Sequence, residues 1–165
     1  MTSEEITKQL KKYCPNICIC NDNNEYYCQL NVSKEPRLFP KNEKELKQTA
    51  ISYAFNKTVE THFKTLPFNK LPYKFCKDIS LGFDNKVINH SYITINILLD
   101  TTKSFSYKTK KGNIIHANDY PSQPAYYIIK ILNDHDFDLT KSIKDLQQEA
   151  NEIAIDILND FADNF

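Results

Sequence analysis

Gly82 and Gly112 are the only glycines in this chain of 165 residues. A loop that cradles phosphate needs several glycines close together, so that backbone N–H groups can reach the oxygens. The P-loop and the dinucleotide-binding fingerprint are therefore excluded. The nucleophile elbow, G-x-S-x-G, fails for the same reason. Most turns must be made by Asn and Asp, whose short polar side chains tolerate left-handed backbone.

The length suits one domain over residues 1–165. A domain of this size buries roughly 70% of the surface that its unfolded chain exposes, so no staples are needed. Apolar residues make up 41% and charged residues 25%, with zero net charge, which argues against disorder. The 10 Tyr and 10 Phe supply bulky core material in place of Trp, which is absent. The start, Met1-Thr2-Ser3-Glu4-Glu5, has no basic stretch followed by an apolar one, so no signal peptide is expected. No run approaches the length of a membrane helix. Five cysteines, an odd number, point to reduced thiols and a cytoplasmic location.

Hydrophobic periodicity divides the chain. Residues 4–13 read as a short helix after Ser3, stopped by Pro15. Residues 17–21 and 26–32 read as a hairpin, with Cys18 and Cys20 on one face and Ile17 and Ile19 on the other. A loop is expected from Ser33 to Pro40. Residues 42–65 read as a long helix whose stripe is Ile51, Phe55, Val59, His62 and Leu66. Pro67 and Pro72 end it. Residues 74–118 alternate with period two in four segments, an antiparallel meander with one apolar and one polar face. Ser122 and Pro124 then signal a helix start, with a stripe of Ala125, Ile128, Ile129 and Leu132. The last helix is expected over 141–163, with Ile143, Leu146, Ala150, Ile153, Ile157 and Phe161 as its apolar stripe. The predicted fold is α+β in two layers. A four-stranded antiparallel β-meander is covered on one face by the long helix and a C-terminal helical pair, with the N-terminal β-hairpin at an edge or packed separately.

Charge is unevenly spread. Residues 1–133 hold 19 Lys/Arg against 12 Asp/Glu, whereas residues 134–165 hold 2 against 9. On the last helix Asp145, Glu149, Glu152, Asp156, Asp160 and Asp163 fall within about 80° of one another. Like charges four apart each destabilise a helix by roughly 0.2–0.5 kcal/mol. Acids near a helix C-terminus also oppose its dipole. Either basic residues of the same chain or water offset that cost, or the stripe is a docking face for a basic partner. Its contact residues would be Asp145, Glu149, Glu152, Asp156 and Asp160, with Tyr126 and Tyr127 as aromatic anchors. The corresponding function is a non-enzymatic protein-binding module acting stoichiometrically, such as an inhibitor or immunity-type protein that neutralises a basic partner.

Other candidates are weaker. Asp134, Asp136, Asp138, Thr140 and Asp145 fall at positions 1, 3, 5, 7 and 12 of a calcium-loop spacing. Leu139 stands where that loop needs Gly, and Asp145 replaces its Glu. An acidic connection between two helices, with Asp138 or Thr140 as cap, is the plainer reading, so no metal or cofactor is expected. Cys14, Cys18, Cys20 and Cys28 lack the paired knuckles of a zinc finger, although Cys18 and Cys20 could chelate from one strand face. His90, Tyr92 and His116 could meet across the meander for acid–base work, but nothing in the sequence brings a carboxylate to them. The segment with Lys103, Phe105, Tyr107, Lys108, Lys110 and Lys111 combines cations with rings, as single-stranded nucleic acid requires. The alternative function is thus a small enzyme or nucleic-acid-binding domain using the polar sheet face or this hairpin.

Overall fold

The computed structural model describes residues 1–22, 25–29, 37–66, 71–75, 80–84, 90–116 and 125–164. Helix α1 spans Ser3–Tyr13 and is started by a capping box. Thr2 Oγ1 accepts from the Glu5 N–H at 3.2 Å, and Glu5 Oε2 accepts from the Thr2 N–H at 2.8 Å. Strands β1 (Cys18–Asp22) and β2 (Glu25–Gln29) form the expected hairpin, and β3 (Arg37–Leu38) pairs with β2 inside the segment expected as a loop.

Helix α2 (Glu43–Phe63) begins at Asn42, whose Oδ1 accepts from the Glu45 N–H at 2.9 Å. Its buried residues lie on several sides, the mark of a helix at the centre of a domain. One side carries Ile51, Phe55, Val59 and Phe63 into the main core, with Ile93, Ile95, Leu99 and Phe137. Another carries Leu46, Ala50 and Tyr53 into a second cluster with Ile6, Leu10, Cys14 and Phe39. The N-terminal hairpin joins that second cluster through Ile17 and Ile19.

The sheet differs from the expected meander. Strand β6 (His90–Asp100) is its central strand. Strands β4 (Tyr73–Phe75) and β5 (Ser80–Asp84) pair antiparallel with opposite ends of β6. Strand β9 (Ala125–Asp136) pairs along its whole length, from His90 opposite Asp136 to Asp100 opposite Ala125. Strands β7 (Ser106–Lys108) and β8 (Ile114–His116), expected in the same sheet, form a separate two-stranded hairpin. Gly112, at φ 87°, makes its turn.

Strand β9 corrects the expected helix. Ala125, Ile128, Ile129 and Leu132 have helical spacing, but a helix there would turn Tyr127 and Ile131 to the opposite side. The run is rich in Ile and Tyr, which favour a pleated, half-buried surface. Pairing with the full length of β6 decides in favour of the strand. Ser122 and Pro124, expected as cap and first turn, lie outside the described residues.

Helix α3 (Ile143–Asn164) lies beside α2 over the sheet. Ser142 caps it, its Oγ accepting from the Asp145 N–H at 3.2 Å. The fully buried line is Leu146, Ala150, Ala154 and Leu158, four residues apart. Ile143, Ile153, Ile157 and Phe161, expected on the stripe, flank that line and are half-buried. The two alanines let α3 lie close to α2. No helix among the described residues is long and apolar enough to cross a membrane.

Candidate functional site: the two flanks of the C-terminal helix

Helix α3 buries one line of residues and presents a different polar surface on each flank. On the α2 flank, the Gln147 amide donates to the carbonyls of Tyr13 and Ala50 at 3.0 and 3.1 Å. One turn on, the Asn151 amide nitrogen donates to Thr58 Oγ1 at 2.6 Å and to the Ala54 carbonyl at 3.2 Å. Two turns further, Asn159 Oδ1 lies 2.7 Å from His62 Nε2. His62, expected as a packing residue, is half-buried and hydrogen-bonded. Gln147, Asn151 and His62 line a groove of about 500 Å³ together with Tyr13, Tyr53 and Lys57. The Lys57 ammonium sits over the Tyr53 ring at 5.6 Å. The amides at Gln147 and Asn151, four apart beside an apolar line, were the sequence signal for this seam.

The other flank carries the acids. Asp145, Glu152, Asp156, Asp160 and Asp163 are exposed, and Glu149 is half-buried. The stripe is met by cations at its two ends. Near the start of the helix, Glu149 Oε2 lies 3.9 Å from Lys141 Nζ, and its Oε1 lies 3.0 Å from His135 Nε2 of β9, an ion pair only when that imidazole is protonated. Near the end, Lys110 of the β7–β8 turn bonds Asp163 at 3.1 Å. Along the middle, Glu152 accepts from Gln148 at 3.2 Å, and Asp156 is exposed. Tyr126 and Tyr127, expected as exposed helical anchors, stand instead on strand β9, opposite Leu99 and Leu98.

The loop before α3 connects a strand to a helix, so the two-helix premise of the calcium-loop spacing does not hold. Asp134 and Asp136 belong to β9. Asp138 closes a turn, its Oδ1 accepting from Thr140 Oγ1 at 2.6 Å and from the Thr140 N–H at 3.0 Å. Those two bonds hold its carboxyl below the usual carboxylate range. It therefore favours the folded state above its unfolded value, and that contribution is lost as the pH falls through the lower folded value. Lys47 reaches the same loop and donates to the Leu139 carbonyl at 2.9 Å. No group of three or more His, Cys, Asp or Glu among the described residues could hold a metal ion.

The basic hairpin separates its rings from its charges. Phe105 and Tyr107 pack against the main core, while Lys103, Lys108, Lys110 and Lys111 are exposed. Base stacking needs rings beside the cations on one open surface. His116 is on β8, which pairs with β7, so the meander that would have set it across from His90 and Tyr92 does not form. Instead, the register sets Asp136 and Asp84 opposite His90 on the two neighbouring strands, and Asp134 opposite Tyr92. Taking 125–132 for a helix hid the positions of Asp134 and Asp136.

The cysteines fall into two sets. Cys14 and Cys28 are buried. Burial, and secondarily Cys28, pushes the Cys14 thiol from near 9.0 up to about 12. Cys18 and Cys20 are exposed, with their sulfurs 3.9 Å apart. The hydrogen bond with Cys18 raises the Cys20 thiol. Cys76 lies outside the described residues.

No protein-family model, curated protein or solved structure matches the chain.

Proposed function

We propose that this protein is a stoichiometric binding module whose acidic face on α3 docks a protein with a basic surface. The observation that carries this reading is the exposure of Glu152 and Asp156 between Glu149 and Asp163, which the chain's own Lys141 and Lys110 approach, with Asp145 exposed one turn before Glu149. Such a face attracts a basic partner from a distance and rejects an acidic one. A small inhibitor that masks the basic active surface of its target, in the manner of an immunity-type protein, fits this pattern. The contacts would centre on Glu152 and Asp156, with Asp145 and Asp160 at the rim. Glu149 contributes through its field, because its carboxylate is already turned to His135.

The test is affinity capture from lysate with the wild type beside a Glu152→Lys/Asp156→Lys variant, with salt elution and charge analysis of whatever is retained. The expected result is a basic protein held by the wild type, released by salt and lost from the variant. Equal retention by both proteins, or retention that salt does not weaken, would overturn the assignment. A His90 acid–base site is the second reading, supported by the register that sets Asp84 and Asp136 opposite it.

A further inference from the structure

We propose that Cys18 and Cys20 form a two-thiol claw for a thiophilic divalent ion of the zinc and cadmium class, on the open face of β1. Residues two apart on a strand share a face, and both cysteines are exposed. Cys28, opposite Ile19 in the register, is buried, so the covered face of the hairpin is the other one. Free cysteine is among the most buried residue types. Two exposed cysteines at this spacing therefore run against ordinary packing preference and call for a chemical reason.

The spacing fits a bridging ion better than a direct bond. A metal about 2.3 Å from each of two sulfurs with a tetrahedral angle holds them about 3.8 Å apart. The sulfurs here are 3.9 Å apart. A disulfide asks for Cβ atoms about 4 Å apart, whereas alternate residues on a strand are separated by about 6.7 Å between Cα atoms. An ion can thus join the two sulfurs with the strand left as it is, whereas a disulfide would have to bend it. Thiolate donors select soft and borderline ions over magnesium and calcium. Two ligands leave half of a tetrahedral shell open to water or to a donor from another molecule.

The experiment is a cadmium titration of the reduced full-length chain under anaerobic conditions with excess magnesium, followed by thiolate-to-cadmium charge-transfer absorption in the ultraviolet. The wild type is expected to saturate at a single equivalent. Cys18→Ser and Cys20→Ser should each weaken binding at least about tenfold, since even outer-shell substitutions cost that much. The double variant should lose the band, although it keeps Cys14, Cys28 and Cys76. Both positions are exposed, and unchanged circular dichroism will show that the double variant folds. A band of the same size in the double variant, or no saturable band in the wild type, overturns the proposal.

Discussion

Replacing Gln147 by Leu should cost about 2 kcal/mol through two lost hydrogen bonds of about 1 kcal/mol each. Tyr13 is the last residue of α1, and its carbonyl has no donor within the helix. Gln147 of α3 supplies one from 134 residues away, and the same amide reaches the Ala50 carbonyl of α2. One side chain thus ties all three described helices together. Leu has nearly the volume of Gln, so the change opens no cavity and the loss is polar. For a chain of this size the midpoint should fall by roughly 4–8 °C. Thermal unfolding followed by circular dichroism measures that shift, and urea unfolding measures the free energy, with an unchanged denaturant slope expected because the surface exposed on unfolding stays the same. Gln147→Glu sharpens the test. A carboxylate facing two carbonyl oxygens is disfavoured, so its folded-state pKa lies above the ordinary value of about 4.3. The variant should be weakest at neutral pH and recover as the pH falls through that raised value, where the protonated acid donates again. A Gln147→Leu protein within about 0.5 kcal/mol of wild type, the scatter of ordinary surface changes, would refute the reasoning.

Leu158→Ala, at a fully buried position between α3 and α2, should cost about 2–5 kcal/mol in the same assay, whereas half-buried Phe161 should tolerate Leu at a smaller cost. Alkylation of the native protein near pH 8, read by mass spectrometry, should label Cys18 well before Cys14, because burial and a pKa of about 12 leave Cys14 almost no thiolate. Glu152→Gln/Asp156→Asn should stabilise the protein by about 0.5–1 kcal/mol at low salt by relieving repulsion at i,i+3 and i,i+4, and the gain should shrink in high salt.

Much of the architecture was legible because it is local. Helices α1, α2 and α3 start and stop within about two residues of where their caps and stripes put them, near the usual ambiguity of helix ends. The hairpin of β1 and β2 follows from period two and its Asn-rich turn. What failed depends on distant partners. A short apolar run such as Ala125–Leu132 reads as helix or strand until its neighbour is known. The same error turned a strand-to-helix connection into a supposed calcium loop, and hid the carboxylates across from His90 and Tyr92. The inward side of the β7–β8 hairpin, by contrast, was written in the sequence. Phe105 and Tyr107 alternate with Ser104, Ser106 and Lys108, and that alternation already separates rings from charges. Exposure of the acidic stripe was not legible, since it depends on which side of α3 meets α2 and the sheet.

Ion pairs and apolar packing act separately on α3. Lys110 meets Asp163 and Lys141 approaches Glu149, near the two ends, and the His135 imidazole lies against the same Glu149. The buried line from Leu146 to Leu158 anchors the helix, and burying one leucine is worth about 1.5–3 kcal/mol against a few tenths for each repulsive pair. Apolar packing therefore holds α3 in place whatever its outer charges do. Charge on that face is then free to be set by something other than stability. The docking proposed for this face can therefore be tested by charge substitution with the helix still in place.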